Sequence, residues 1–480
     1  MRTLNLDIPA DDTPLYLRLS RAIRGAVRAG QARPGELLPS TRVLAQACGA
    51  HRHTVMSALD ELVAEGWLEA ERGRGYRILA TLPGDPPEAA AAAENPRVEW
   101  RVARDAILPQ RTSEGLPFAF PSGQPDLRLF PVRDYYGCLR DTLRRVPAPS
   151  LLGYAAAGGI SELTGELATY LRRLRGLSTE RDIVVTHGSQ EAIFLLGMLL
   201  LERGDVVAVE AMGYPPAWGA LRASGARLAP VEVDAAGIVP EALDRLARRR
   251  PIRMVYVTPL HQYPTTVTLP VPRRAALYEV CARHGIAILE DDYDHEFHYR
   301  SSPLAPLAAS NPDGRVLYVS TFSKVLYPAA RIGFAVVPRV VAEGLRRLKH
   351  IASRQNDTLV QHTVARWMAT GGFERHLRRM RREYSLRCDA MLAALKRESG
   401  GLRLEVRRPD GGMSLWVSLG VDDVALADAA AAAGVGIVAG RHAMLRPRAN
   451  TWLRLGFAST TPDEIDEGVR RLCAAARSLR

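Results

Sequence analysis

From about residue 113 onward, short runs of β-branched and apolar residues alternate with longer helical stretches, and this alternation limits the fold more than any other feature of the chain. DIVVT (182–186), DVVAVE (205–210), RMVYVTP (253–259), GIAILED (285–291), RVLYVS (315–320) and RIGFAVV (331–337) read as buried strands. Helical stretches such as EAIFLLGMLLLERG and VPRRAALYEVCARHG lie between most of them. Strands joined through helices pair in parallel, so the expectation is an α/β body around a mainly parallel sheet. In such sheets ligands gather at the carboxyl ends of the strands. No internal repeat is visible.

Residues 12–80 follow another pattern. PLYLRLSRAIRGAVRAG (14–30) has helical periodicity and ends at Gly30. The turn QARPGELLPS follows, and Ser40 can cap the next helix, TRVLAQACG, which stops at Gly49. A third helix spans roughly Arg52 to Glu65, with Val55, Leu59, Leu62 and Val63 as its buried stripe. GWLEAERGRGYRIL then reads as two short strands around a Gly-Arg-Gly hairpin. Two helices, a turn, a third helix and a hairpin make a winged helix-turn-helix, whose third helix enters the major groove. The Pro- and Ala-rich stretch TLPGDPPEAAAAAENPRVEW opens a linker assigned to 81–112. The expected domains are thus 1–80, linker 81–112 and 113–480.

Bulk properties narrow the function classes. No run of about 18 apolar residues occurs, so no membrane span is expected. The start, MRTLNLDIPADD, resembles neither a signal nor a transit peptide. Five scattered cysteines form no CxxC and no Cys/His cluster at metal spacing, which fits a reducing cytoplasm and no metal site. The net charge of +12 permits a nucleic-acid partner. The excess is not concentrated in residues 1–80, which hold 11 arginines against 9 acids. The runs at 245–250 and 375–383 read as solvated helix faces.

Among 64 Lys and Arg only three are lysine: Lys324, Lys349 and Lys396. The last two lie in arginine-rich, helix-like stretches and read as ordinary. Lys324, in STFSKVLYPAARIGF, is different. Arginine stays charged, whereas lysine can deprotonate and act as a nucleophile. Around it, Thr321, Ser323 and Arg331 are phosphate ligands by chemistry. Gly188, Ser189 and Gln190 stand where DIVVT runs into a helix, and a helix N-terminus attracts an anion. GIAILEDDYDHEF sets Asp291 and Tyr293 at a strand end. An amine, a phosphate cup, a carboxylate and a phenol are the four things that pyridoxal 5′-phosphate needs.

Two resemblances extend this reading. PLYLRL, PGELLPSTRVLA, TVMSALDELVAEGWL and RGRGY resemble the GntR-type winged-helix domain over nearly all of 12–80. That resemblance implies contacts to double-stranded operator DNA from Ser40, Thr41 and Arg42, from Arg52 and Thr54, and from Gly75 at the wing. Residues 113–480 resemble fold-type I aminotransferases, which implies a smaller C-terminal subdomain at about 370–480. By that resemblance Lys324 is the Schiff-base lysine, Asp291 holds the pyridine nitrogen, and Tyr293 holds the ring oxygen. Gly188, Ser189, Gln190, Thr321, Ser323 and Arg331 form the phosphate site. Tyr214, in AMGYPP, stacks on the ring, and Arg454, in LRLGFA, grips a carboxylate. Tyr263 and Thr266, in HQYPTT, fall where aminotransferases carry the asparagine and glycine of Asn-Pro-Thr-Gly. Tyr154 would reach a neighbouring subunit's phosphate, so a homodimer, arranged head to tail, is implied.

The fusion of the two parts, with GQPDLRLFP, HQYP and EDDYDHEF, resembles the MocR/GabR family of transcriptional regulators. This implies a PLP-dependent regulator that senses an amine or amino-acid effector, with transaminase activity weak or absent. AMGYPPAWGAL carries no arginine after Tyr214, where the GABA-responsive member has one, so GABA is not the implied effector. An active aminotransferase with a fused DNA-binding domain, and a PLP sensor controlling vitamin B6 synthesis, are the alternative readings.

Overall fold

The computed structural model describes residues 6–80, 82–83, 115–177, 182–299, 304–310 and 312–480. It divides into two compact units, Met1–Val102 and Ala103–Arg480. Apart from residues 82 and 83, the linker assigned to 81–112 lies outside the described residues.

In the first unit, α1 (Leu15–Arg28), α2 (Thr41–Ala47) and α3 (Arg52–Ala64) precede an antiparallel hairpin of β1 (Leu68–Glu71) and β2 (Gly75–Ile78). The Ser40 hydroxyl accepts from the Val43 amide at 3.4 Å and caps α2. Val55, Leu59 and Leu62 of α3 pack with Leu19, Ile23 and Leu44 into a separate core, and Val63 covers its edge half-buried. Burial of one face fixes the helices; caps and glycines fix where they stop.

The second unit is built on a seven-stranded sheet. Its order is Asp182–Thr186, Gly333–Val337, Val316–Thr321, Ala287–Asp291, Met254–Val257, Val206–Glu210 and Arg227–Val231. Gly333–Val337 runs antiparallel to both neighbours; the remaining pairs are parallel. All six strands read from the sequence form. Arg227–Val231, an edge strand interrupted by Pro230, is an addition. Alternate residues of each strand feed two cores, one on each face: Val185, Val255 and Ile288 on one side, Val184, Met254 and Leu289 on the other.

Before the sheet come α4 (Val132–Arg145), α5 (Ala148–Leu152) and α6 (Ser161–Arg175); α7 (Gly188–Leu200) follows its first strand. A second sheet, of four antiparallel strands, orders Glu405–Val406, Ser414–Ser418, Trp452–Gly456 and Val438–Ala439. The 27-residue helix Gly372–Glu398 leads into it.

Candidate functional site

Topology delivers the candidate residues to one edge of the large sheet. Five parallel strands end there and release Gly188, Tyr214, Tyr263, Asp291 with Tyr293, and Lys324. The antiparallel strand begins at the same edge, so Arg331 arrives from its amino end.

Gly188 opens α7 with φ +77°. A Cβ there would lie 3.0 Å from the Arg331 guanidinium, so only glycine lets the cation sit against the helix N-terminus. Arg331 itself has φ +50°, and its guanidinium donates to the His187 carbonyl at 2.5 Å. The Thr321 and Ser323 hydroxyls lie 2.9 Å apart, and Thr321 Oγ1 also accepts from the Ser323 amide. Gln190 donates to the Pro216 carbonyl at 2.8 Å, which leaves its buried Oε1 unpartnered. Ser189 is half-buried in the first turn of α7.

The aromatic and cationic side chains form a chain of contacts. Tyr214 meets Tyr263 edge-on at 5.3 Å. The Arg454 guanidinium lies 4.4 Å from the Tyr263 ring centroid and donates to Tyr293 Oη at 3.2 Å and to the Pro264 carbonyl at 3.0 Å. Its Nε contacts the Ser122 hydroxyl. Arg454 is buried, yet among the described residues its hydrogen bonds go to two hydroxyls and a carbonyl and none to a carboxylate. Tyr293 donates to the His261 carbonyl at 2.9 Å.

Lys324 lies half-buried, with its Nζ 3.3 Å from where a Gly123 Cβ would stand. Desolvation pulls its amine below the usual lysine value; the Asp294 carboxylate opposes that shift. Asp291 Oδ2 accepts from Tyr256 Oη at 2.8 Å, whereas Oδ1 is buried without a partner. Desolvation raises the Asp291 carboxyl to about 7. Thr266 takes φ +64°, a left-handed conformation that favours glycine. Tyr154 stands apart: its ring is 85 % exposed and carries the Arg354 guanidinium at 4.9 Å.

Three features were not singled out from the sequence. His261 Nδ1 and Asp294 Oδ1 form a fully buried pair at 2.6 Å beside the site. Their signal was available, in HQYP and EDDYDHEF, but not their pairing. Lys349, taken as ordinary, is completely buried, with Nζ 4.0 Å from Glu191 and 3.5 Å from Ser353 Oγ. Glu191 in turn accepts from the His187 amide at 2.6 Å, behind Gly188. Third, the partner of the acidic strand end is Arg175, which meets Asp292 at 2.6 Å with both side chains buried. Among the described residues no cluster suits a metal ion.

In the first unit, Arg52 Nε donates to Thr41 Oγ1 at 3.2 Å and so joins the start of α3 to the start of α2. Ser40, Arg42 and Arg52 are exposed; Thr54 is half-buried. Gly75 has φ +114°, and the exposed side chains beside it are Arg72 and Arg74. Tyr76 ties this wing to α3 through Asp60 at 3.1 Å.

Residues 138–472 match the family Aminotransferase class I and II, and residues 15–78 match Bacterial regulatory proteins, gntR family. The probable rhizopine catabolism regulatory protein MocR of Rhizobium meliloti is 32% identical over 98% of this chain and 95% of its own length. The chain belongs to the MocR-type transcriptional regulators, in which a GntR domain is fused to an aminotransferase-like one. The HTH-type transcriptional regulator TauR of Rhodobacter capsulatus is 31% identical over 98% of both chains. Among solved structures, Pyrococcus horikoshii kynurenine aminotransferase in complex with PMP superposes with a TM-score of 0.73 at 28% identity, covering 78% of this chain and 97% of that one. No helix among the described residues is long and apolar enough to cross a membrane.

Proposed function

We propose that this MocR-type regulator binds operator DNA through its first unit, holds pyridoxal 5′-phosphate through Lys324, and takes an amine-bearing carboxylate as effector. The observation that carries the reading is Asp291 Oδ1. It is a buried carboxylate oxygen without a partner, one strand away from a desolvated lysine. A buried acceptor left open is costly unless a ligand supplies the donor, and a pyridinium N–H is such a donor.

The other residues fit the same group. Gly188, Ser189, Gln190, Thr321, Ser323 and Arg331 would hold the phosphate, Tyr214 would stack on the ring, and Tyr293 would face the ring oxygen. When bound, the cofactor supplies an aldehyde carbon open to amines and a ring that withdraws electrons. Lys324 provides the anchoring amine, and its lowered proton affinity keeps more of it neutral and nucleophilic. Arg454 is oriented by Tyr263, Tyr293 and the Pro264 carbonyl and would take the effector's carboxylate. Tyr263 stands where an aminotransferase has asparagine, which favours sensing over turnover.

A homodimer is supported by the surface of α4. Val132, Tyr136 and Leu143 form an exposed apolar stripe on that helix, and Leu152 and Tyr154 extend the exposed apolar surface beyond it. Gln355 holds the Tyr154 loop through the Ala155 amide, and its neighbour Asn356 holds the Arg331 carbonyl. A partner's phosphate on Tyr154 would therefore report to this chain's own cup. In the first unit, Arg42 and Arg52 would read base edges, the Ser40, Thr41 and Thr54 hydroxyls would meet phosphates, and the wing at Gly75 would touch the backbone. An effector shifts DNA binding only through different affinity for two arrangements of the dimer.

The test uses purified protein and DNA recovered by selection from a random duplex pool. Amines, amino acids and pyridoxal 5′-phosphate are screened together for a change in visible absorbance and in DNA affinity. An amine that changes both supports the reading. Multiple turnover with an amino acid and a keto acid would overturn the sensing role, and absence of any bound cofactor would overturn the cofactor assignment.

A further inference from the structure

A chamber of about 1140 Å³ opens elsewhere in the same unit, and none of Lys324, Asp291, Tyr293 or Arg454 lines it. One side is the turn Thr265–Thr268; the opposite side comes from the four-stranded sheet and the segment 404–410. Trp416 and Trp452 lie in it, stacked within 9° at 5.7 Å. In the antiparallel register Trp416 stands opposite Arg454 and Ser418 opposite Trp452, so both indoles share the strand face that carries Arg454. Trp416 is buried, whereas Trp452 is half-buried and leaves ring surface open.

Two polar atoms of the lining are buried and unpartnered: Thr268 Oγ1 and Arg408 Nε. The remaining Arg408 nitrogens are engaged, Nη1 with Asp389 and Nη2 with the Ser385 hydroxyl at 3.4 Å. One N–H of the guanidinium and one hydroxyl are therefore left open. The charge at the rim favours the same kind of partner. Asp234 is bound by Arg273 at 2.5 Å, Glu405 by Arg403 at 3.1 Å, and Asp422 by Arg441. Arg407, Arg448 and Asp410 have no such pairing among the described residues, two positive charges to one negative.

We propose that this chamber binds a planar aromatic carboxylate, with its ring on Trp452 and its carboxylate on Arg408 Nε and the Thr268 hydroxyl. Stacking on an indole selects a flat ring, and two unpartnered donors in the lining of one chamber select an acceptor. This does not rest on the cofactor reading. The two sites adjoin, because Pro264, whose carbonyl accepts from Arg454, immediately precedes the turn Thr265–Thr268 that lines this chamber.

The experiment is calorimetry on the cofactor-loaded, full-length protein with quinoline-2-carboxylate and indole-3-carboxylate. Quinoline and cyclohexanecarboxylate serve as controls, lacking the charge and the flat ring respectively. The aromatic acids bind one per chain, at least about ten-fold tighter than either control. Trp452→Leu and Thr268→Val each weaken them by at least about five-fold and leave the visible spectrum unchanged. Thr268→Val removes one hydroxyl from a half-buried position, so it keeps the test decisive if the tryptophan variant misfolds. Absence of saturable binding at millimolar probe overturns the proposal, as does equal affinity in Thr268→Val. Binding lost in Lys324→Ala but kept in Thr268→Val would assign the probes to the Lys324 site and overturn it too.

Discussion

Glu290, Asp291 and Asp292 are consecutive buried carboxylates at one strand end, and they are satisfied in contrasting ways. Asp292 faces Arg175 at 2.6 Å and accepts from Tyr318 at 2.7 Å; it stays well ionised because these partners outweigh its desolvation. Glu290 accepts the Leu307 and Ala308 amides at 2.8 and 2.9 Å. Asp291 has one phenol and one orphan oxygen. The wall behind the edge is thus nearly closed: the oxygens of Glu290 and the Asp292–Arg175 pair meet partners inside the protein, and Arg175 Nε alone among these groups is left over. The wall in front, with Asp291, Lys324, Arg454 and Gln190 Oε1, is open. The closed region holds the fold; the open region costs stability and is kept for something from outside.

The largest effects should divide along that line. Lys324→Ala should remove the visible absorbance of bound cofactor completely, while the unfolding midpoint of the cofactor-free protein stays nearly constant, because the lost amine makes no hydrogen bond or ion pair among the described residues. A persisting band would place the anchor elsewhere. Arg175→Met should do the reverse. Leaving Asp292 buried and unpaired should cost about 3–5 kcal/mol in denaturant unfolding. A cost under about 1 kcal/mol would mean that the back wall is not closed in the sense argued.

The pH dependence of Asp291 sharpens the contrast. Its carboxyl is raised to about 7 from an ordinary value of 3.8. The unfolded chain therefore releases this proton first as pH rises, and the folded state loses stability between about pH 4 and 7, by up to about 1.4 kcal/mol per unit. Asp291→Asn cannot ionise. The stability of the cofactor-free wild type, measured against that variant by urea unfolding, should fall across this window and level off above it. His295, which does not feel the Asp291 charge, contributes equally to both proteins and cancels; Glu210, which does, adds to the difference in the same direction. A flat difference would show that Asp291 is not held in a desolvated, open state.

Much of this was legible in the sequence because it depends on periodicity and on residue type. The six strands read from the sequence are continuous apolar runs, and the winged helix shows a helical stripe, a cap and a Gly-Arg-Gly turn. Lys324 stands out because the chain otherwise uses arginine. The edge strand at 227–231 was missed because Pro230 argues against a strand unless its amide faces away from a neighbour. Pairings over long separations were not legible either. Nothing in EDDYDHEF says that Asp292 meets Arg175 while Asp291 meets only Tyr256, and nothing near Lys349 says that Glu191 will lie over it. Those assignments are set by which strands become neighbours, and only the assembled sheet decides that.

The smallest effect tests whether the open wall also stores backbone strain. Thr266 holds φ +64°, is buried, and donates its amide to the Gln262 carbonyl at 2.7 Å. A β-branched residue in the left-handed region costs roughly 1–2 kcal/mol, and alanine there keeps most of that cost. Glycine escapes it but loses more chain entropy on folding, by roughly 0.5–1 kcal/mol. Comparing Thr266→Ala with Thr266→Gly removes the threonine side chain in both and isolates the backbone. In an ordinary helix or strand alanine is the more stable of the two. At position 266 the order should invert, with glycine ahead by up to about 1 kcal/mol in thermal or urea unfolding. If alanine equals or exceeds glycine, the turn is relaxed, and the open wall is unsatisfied only in its polar groups and not in its backbone.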